Sequence, residues 1–155
     1  MDRTFTVQTT INRSSEDVFN AIVDPDMLTK YFVDRTSGKL EPGARIVWFW
    51  ERWGDYPVEV DEVIPNKRIS LRLNSVAWKK SETDNYDVRV DIEIEPLEDG
   101  RTMLKISETG WKGNAEGIKA SYENCGGWQH MADCAKCWLE HGIDLRGTYT
   151  PAEVK

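Results

Sequence analysis

Apolar and polar residues alternate through the middle of the chain and shift to a helical spacing near its two ends. The alternation is clearest at residues 86–95, where Val88, Val90 and Ile92 are separated by charged residues. A period of two with one apolar face is typical of an antiparallel strand that has its other face in water. Similar patterns predict strands at residues 4–11, 37–40, 45–53, 58–64, 67–76 and 102–109.

Two short helices are predicted directly after the first strand. Ser14 is suited to cap the first of them, and acidic residues follow it near the positive end of the helix dipole. Asp24 ends this helix, because the residue before a proline avoids the helical region. Pro25 suits the first turn of a second helix, which is predicted at residues 26–31.

The longest helix is predicted near the end of the chain, from residue 118 or 120 to about residue 142. Gly126 and Gly127 offer a place for it to bend, and Gly142 can stop it in a left-handed conformation. At about 100° per residue, one face of this helix is apolar and the opposite face is polar. The apolar face carries Trp128, Met131, Ala135 and Trp138. This face must cover an apolar surface elsewhere in the chain.

The order of the elements predicts an α+β, helix-grip fold. Consecutive strands joined by short turns form an antiparallel meander. We expect a curled antiparallel sheet of about six to seven strands wrapped around the long C-terminal helix, with the two short helices after strand 1. The prediction is a single domain over residues 1–145, followed by a C-terminal tail over residues 146–155.

Charge and cysteine content restrict the class of partner and the compartment. The chain has 155 residues and a formal net charge of −7, which disfavours nucleic acid as a partner. No stretch approaches the roughly 20 apolar residues of a membrane span, and the N-terminus lacks the apolar run of a signal peptide. The cysteines are three in number, and two of them are three residues apart inside a predicted helix. This fits reduced thiols, so we expect a cytoplasmic protein.

Several local motifs resemble those of the START/Bet v 1-like superfamily, and more narrowly those of the bacterial relatives of the activator of Hsp90 ATPase. Residues 15–22, followed by Asp24-Pro25 and residues 28–32, are similar to the family's first helices. Residues 58–69 resemble its hairpin with a proline and basic residues at the turn, and Gly127-Trp128 resembles the start of its helix. The resemblance covers about residues 3–142. The chain departs from it at Tyr31, where tryptophan is usual, and at Met131, where leucine is common.

The resemblance implies a cavity between helix and sheet, where the superfamily binds lipids, polyketides and other apolar molecules. The tryptophan-rich faces of the predicted elements fit such a pocket. Its predicted lining is Phe32, Trp48, Trp50, Leu71, Leu73, Trp78, Val90, Trp111, Trp128 and Met131, with Trp78 and Trp111 on loops that close it. The alternative is that the same side chains fill a solid core.

Soft metal ligands follow one edge of the long helix. His130, Cys134, Cys137 and His141 are spaced by four, three and four residues. All four span about 16 Å along the axis, so they cannot bind one ion together. A subset of His130, Cys134 and Cys137 is a minor alternative as a zinc or copper(I) site. The favoured interpretation is that two buried or half-buried cysteines are flanked by surface histidines. We expect neither a metal nor a cofactor.

Acidic residues in or beside the strands are the remaining candidates for chemistry. They are Glu51, Glu59, Asp61, Glu62 and Glu108. A carboxylate that points into an apolar interior would have a raised pKa and could act as a general acid or base. A solvated outer sheet face is the favoured interpretation, so no catalytic residue is assigned.

Three functions follow from these observations. The first is a non-enzymatic domain that binds an apolar or amphipathic small molecule between the sheet and the C-terminal helix. The second is a chaperone-associated interaction module. An exposed apolar patch near Tyr31, Trp53, Tyr56 or Trp78 would support it. The third is an enzyme like the polyketide cyclases and dehydratases, which needs an inward carboxylate or histidine. We expect a monomer or a homodimer.

Overall fold

A computed structural model describes residues 3–148 of the chain. Seven strands form one antiparallel sheet, and three α-helices and a short 3-10 helix complete the domain. The strands are β1 (Arg3–Ile11), β2 (Arg35–Thr36), β3 (Arg45–Trp50), β4 (Gly54–Ile64), β5 (Arg68–Asn74), β6 (Asp87–Pro96) and β7 (Thr102–Trp111). The helices are α1 (Ser15–Val23), α2 (Pro25–Leu28) and α3 (Ala115–His141), followed by the 3-10 helix Leu145–Thr148. The predicted α+β, helix-grip architecture is confirmed.

The sheet order is β1-β7-β6-β5-β4-β3-β2, so the first strand closes against the last. Strands β2 to β7 form a meander, and β1 pairs with β7 over nearly its whole length. The inner face is a continuous apolar surface, because alternate residues such as Ile69, Leu71 and Leu73 point towards the helices. Helix α3 packs mainly against β1 and β7.

Helix α3 has the predicted faces but a different start. Trp128, Met131 and Ala135 are buried, and Trp138 is half-buried against the same core. The helix begins at Ala115, earlier than predicted, because the Asn114 side chain accepts a hydrogen bond from the Gly117 amide at 2.8 Å. A β-carbon at Gly117 would lie 2.1 Å from the Lys112 carbonyl oxygen, so this close turn requires glycine.

Helix α3 runs through Gly126-Gly127 without a break, as one continuous helix of 27 residues. Inward side chains on both sides of the glycines, Asn124 and Trp128, are buried and keep the two halves in register. The predicted stop is confirmed, because Gly142 has φ 66° and its amide donates to the Trp138 carbonyl at 2.8 Å.

Two other predictions about local structure were wrong. The strand predicted at residues 37–40 is instead the two-residue β2, because the Thr36 hydroxyl bonds to the Gly38 backbone and turns the chain. The second helix ends at Leu28 rather than Tyr31 and continues as turns to Phe32. These turns bring Phe32 over the inner face of the sheet.

The beginning of the predicted tail is attached to the domain. Arg146 donates hydrogen bonds to the carbonyls of Val33 at 2.8 Å and Thr29 at 3.0 Å, and it pairs with Asp144. Residues 149–155 of the predicted tail lie outside the described residues, and the division at residue 145 stays a prediction. No helix among residues 3–148 has the length and apolar character that a membrane crossing requires.

Candidate functional site

Five aromatic rings meet between the sheet and the first half of α3. We call them the aromatic cluster: Phe32, Trp48, Trp50, Trp78 and Trp128. Neighbouring ring centroids in it are 5.1–6.4 Å apart, and most pairs meet edge to face. These rings come from the turns after α2, from β3, from the loop of residues 75–86 between β5 and β6, and from α3.

The cluster is buried at its centre and open at its edge. Trp48, Trp78 and Trp128 are buried, whereas Phe32 and Trp50 are half-buried. Trp53, whose ring centroid is 5.9 Å from that of Trp50, is 50% exposed. The cluster therefore extends from the core to the surface.

Most indole N–H groups around the cluster have an acceptor. Trp50 donates to the Phe32 carbonyl at 2.8 Å, and Trp78 donates to the Pro57 carbonyl at 2.7 Å. Trp48 is the exception, because its Nε1 is buried and has no hydrogen-bond partner among residues 3–148. An unpaired buried donor lowers the stability of the folded state by about 1–3 kcal/mol, so its presence calls for an explanation.

A buried carboxylate lies beside the cluster. Glu108 of β7 is fully buried, and three side chains donate hydrogen bonds to it. Trp128 donates to Oε2 at 2.5 Å and Trp111 donates to Oε1 at 2.6 Å. Asn124 contacts both oxygens, at 3.1 and 3.2 Å. The carboxylate thus connects β7 to α3 and fixes two indoles.

Burial raises the pKa of Glu108 to about 7, since the charged form loses its hydration. The hydrogen bonds from Trp128, Trp111 and Asn124, and the charge of Lys80, oppose this rise in the pKa. These three side chains can only donate at the atoms concerned, so the geometry suits the ionised carboxylate. A general base needs a free lone pair, and here the oxygens already accept four contacts. The arrangement suits positioning of Trp128 and Trp111.

The other acidic candidates lie on the outer face of the sheet or at its edge, as predicted. The Arg72 guanidinium contacts Glu59 and Asp61 at 2.8 Å, and Asp87 at 3.5 Å. Glu62 pairs with Arg68, and the exposed Glu51 pairs with Arg35. For Glu108 alone the prediction of a solvated face was wrong.

The structure brings together half of the predicted pocket lining. Phe32, Trp48, Trp50, Trp78 and Trp128 meet in the aromatic cluster. Leu71, Leu73, Val90 and Met131 are buried in the same core. Trp111 differs, because it is the last residue of β7 and packs in a second cluster with Val88 and Ala120. It therefore lies on a strand, whereas a closing loop was predicted.

Two open grooves lie on the surface. One, of about 570 Å³, runs between the 75–86 loop and the first turns of α3. Its walls carry both signs of charge, from Lys79, Lys80 and Lys119 and from Glu82, Glu116 and Glu123. The other, of about 400 Å³, lies near Ser14, Leu97 and Thr102.

Among the metal-ligand candidates, His130 and Cys134 are in contact. Cys134 Sγ lies 3.5 Å from His130 Nε2, and burial raises the pKa of the Cys134 thiol to about 12. Cys137 is half-buried, and the described residues contain no group of three His, Cys, Asp or Glu side chains placed to hold a metal ion. The raised pKa of Cys134 opposes the thiolate form that a metal needs.

Sequence reasoning named Glu108 only as one of five acidic candidates and favoured a solvated position for it, and it did not name Asn124, although both follow a visible period. Glu108 comes two residues after Ile106, and Thr102, Leu104 and Ile106 are the inward side of β7. Asn124 comes four residues before Trp128, on the inner side of α3. If the spacing of the inward residues is continued by one step, it reaches Glu108 in β7 and Asn124 in α3.

Comparison with known families gives one match, to the family described as "Activator of Hsp90 ATPase homolog 1-like protein", over residues 12–134. A search of curated proteins gave no significant match.

Solved structures with the same fold are also found. Protein SSP2350 from Staphylococcus saprophyticus is 22% identical with a TM-score of 0.76, over 93% of this chain and 96% of that one. The Aha1 dimer from Colwellia psychrerythraea is 18% identical with a TM-score of 0.69, over 90% and 98%. CalU16 from Micromonospora echinospora is 16% identical with a TM-score of 0.70, over 97% and 79%. At these identities the likeness shows the fold.

Proposed function

The chain belongs to the family of activator of Hsp90 ATPase homolog 1-like proteins, and from this premise we propose that it binds a small apolar or amphipathic molecule. The binding site is the aromatic cluster between the sheet and α3. The single observation that carries the proposal is that this cluster contains the fully buried Trp48 and reaches, through Trp50, the half-exposed Trp53 beside it. A molecule can therefore replace ring–ring contacts at the edge without first unfolding the core.

The composition of the aromatic cluster defines the kind of ligand that it can bind. Its lining consists of rings that prefer flat, apolar partners at edge-to-face or offset geometry. Two of the rings are carried by connections, Phe32 by the turns after α2 and Trp78 by the 75–86 loop, and connections move more readily than strands. We expect the ligand to take the place of one of these two rings.

Binding is tested by titrating the protein with fluorene and with fatty acids while recording tryptophan emission and the indole N–H signals in NMR spectra. The expected result is saturable binding, with the largest NMR shifts at Trp50, Trp78 and Trp128. The variant Trp78→Ala should bind fluorene more tightly, because it removes a ring from the cluster. Tyr122→Ala, which changes an exposed ring on α3, is the matched control and should bind like the wild type. Absence of any binding tighter than millimolar would refute the proposal.

Trp53 supports a second candidate, a chaperone-associated interaction module. Its exposed ring has the Arg52 guanidinium 5.9 Å from its centroid, a pairing that suits a protein interface. Of the patch expected from the sequence, however, Tyr31 and Trp78 are buried and Tyr56 is half-buried. The patch is thus smaller than this function predicts.

This second candidate is tested by adding the protein to an Hsp90 and measuring its ATPase rate. Stimulation that is lost in Trp53→Ala and kept in Tyr122→Ala would support it. An unchanged rate with wild-type protein would contradict it. One structural relative is described as a dimer, so sedimentation of this protein at several concentrations should accompany the assay.

A further inference from the structure

The unpaired indole N–H of Trp48 points to a class of ligand. This donor lies at the centre of the aromatic cluster, and Trp48 is 1% exposed. Four other indoles, those of Trp50, Trp78, Trp111 and Trp128, each donate to a carbonyl or carboxylate oxygen. Trp48 alone among these buried and half-buried donors has no acceptor in the part of the chain that the structure describes.

Neighbours of Trp48 explain why the protein does not satisfy this donor itself. The rings of Phe32, Trp50, Trp78 and Trp128 surround it at centroid distances of 5.3–6.4 Å. Ring faces are weak hydrogen-bond acceptors. A water molecule needs two to four polar partners, which an aromatic environment does not supply. An oxygen acceptor carried by an otherwise apolar molecule fits both conditions.

Trp78 contacts Trp48, with the two ring centroids 6.4 Å apart, and a loop rather than a strand or helix carries it. The 75–86 loop that carries Trp78 is held to the rest of the domain by the Trp78 indole, which donates to the Pro57 carbonyl at 2.7 Å, and by polar contacts near the surface. Lys79 Nζ donates to the Trp53 carbonyl at 2.6 Å, and Lys80 pairs with Glu123 of α3 at 3.0 Å. Exposed contacts of this kind cost little to break. The groove of about 570 Å³ follows the same loop along α3.

We propose that the ligand is a flat aromatic carbonyl compound whose oxygen accepts the Trp48 indole N–H. This inference rests on the proposed function and adds the polar group that the ligand must carry. The aromatic part takes the place of the Trp78 ring against Trp48, and the carbonyl oxygen lies in the ring plane, where its lone pairs meet the N–H group.

The matched ligands fluorenone and fluorene test this, because they share one shape and differ in a carbonyl group. In wild-type protein, fluorenone should bind at least about tenfold more tightly, since it pairs a donor that is otherwise unsatisfied. Trp48→Phe should remove this preference. Trp50→Phe is the matched control: it also removes an indole from the cluster, but one whose N–H already has an acceptor, so the preference should remain.

A second measurement needs no variant. With labelled indole nitrogen, the Trp48 N–H proton signal of the wild type should move downfield with fluorenone and stay near its position with fluorene. Equal affinity for the two ligands, or a preference that survives in Trp48→Phe, would overturn the carbonyl inference and leave the proposed function intact. Failure of both ligands to bind would overturn both.

Discussion

Two carboxylates on adjacent strands show how one residue of register decides the chemistry of a side chain. Asp91 of β6 lies opposite Ser107, and its neighbour Val90 lies opposite Glu108 of β7. Because successive residues of a strand point to opposite faces, Asp91 faces outward and Glu108 faces the core. Each accepts hydrogen bonds from three side chains, but the donors to Asp91 include two arginines, whereas those to Glu108 are uncharged.

The two environments shift the pKa in opposite directions. Partial burial works against the ionised form of Asp91, but hydrogen bonds from Ser70, Arg89 and Arg68 prevail and lower its pKa. Burial dominates at Glu108 and raises its pKa. The comparison teaches that neutral donors hold a buried carboxylate in place without compensating the loss of water.

The largest expected effect comes from removing the donor that connects Glu108 to the aromatic cluster. Trp128→Ala should lower the free energy of unfolding by about 3–5 kcal/mol, because it leaves a cavity in the core and removes one of the two donors to Oε2 of Glu108. Urea denaturation measures this. Trp53→Ala, which removes an exposed indole, is the control and should cost about 1 kcal/mol or less. A loss below about 1 kcal/mol for Trp128→Ala would show that Trp128 is not a core residue.

The pH dependence of stability should distinguish the inner carboxylate from the outer ones. The pKa of Glu108 is about 7 in the folded protein, against 4.5 in the unfolded chain. Its contribution to stability is therefore full below pH 4.5, is lost as the pH rises towards about 7, and is constant above that. The difference is about 3 kcal/mol.

Urea denaturation of the wild type and of Glu108→Gln across this pH range measures the effect, because the variant cannot titrate. Asp61→Asn, on the outer face, is the control and should keep the wild-type slope.

For Asp91 the sign of the pH dependence is reversed. Its lowered pKa gives stability that is present above the pKa of 3.8 in the unfolded chain and is lost as the pH falls. Parallel profiles for wild type and Glu108→Gln would disprove the raised pKa of Glu108.

Asn124→Ala should have an intermediate effect. It removes the amide that contacts both oxygens of Glu108, so we expect a loss of about 1–2 kcal/mol at pH 8 and a smaller loss at pH 5, where Glu108 is protonated. Ser121→Ala alters another buried polar residue of α3, whose hydroxyl donates to the Ile118 carbonyl, and its cost should not change with pH. Equal costs of Asn124→Ala at both pH values would separate Asn124 from the titration of Glu108.

The smallest effect is expected on the outer face. Arg72→Ala breaks contacts with Glu59, Asp61 and Asp87, but the Arg72 side chain is 43% exposed. Exposed ion pairs contribute about 0–1 kcal/mol, and salt reduces this further. Denaturation at low and high salt should show a loss below 1 kcal/mol that shrinks as salt is added. A larger, salt-independent loss would mean that Arg72 also has a packing role.

The sequence predicted the fold well because the periods of its strands and of α3 are regular. Val88, Val90 and Ile92 alternate without interruption, and the apolar face of α3 is the one that is buried. The short elements were harder to predict. The end of β2, for example, depends on a local hydrogen bond of Thr36, which has no signature in the apolar period.

The site was predicted only in part, because some of its features depend on contacts between elements and not on the periodicity within one element. Aromatic residues at inward positions of β3 and α3 identified Trp48, Trp50 and Trp128. The partner of each indole N–H is decided by three-dimensional contacts, so the unpaired Trp48 could not be found from the sequence. Glu108 was among the acidic candidates but was assigned to the solvent side, because a charged residue normally marks that side of a strand. Only the donors from β7 and α3 together permit it inside.

Arg146 joins the end of the described chain to the turns that carry Phe32. Its hydrogen bonds to Thr29 and Val33 bracket those turns, so a tension applied at the C-terminal side would be transmitted to one wall of the aromatic cluster. A displacement of Arg146 would therefore alter the position of Phe32.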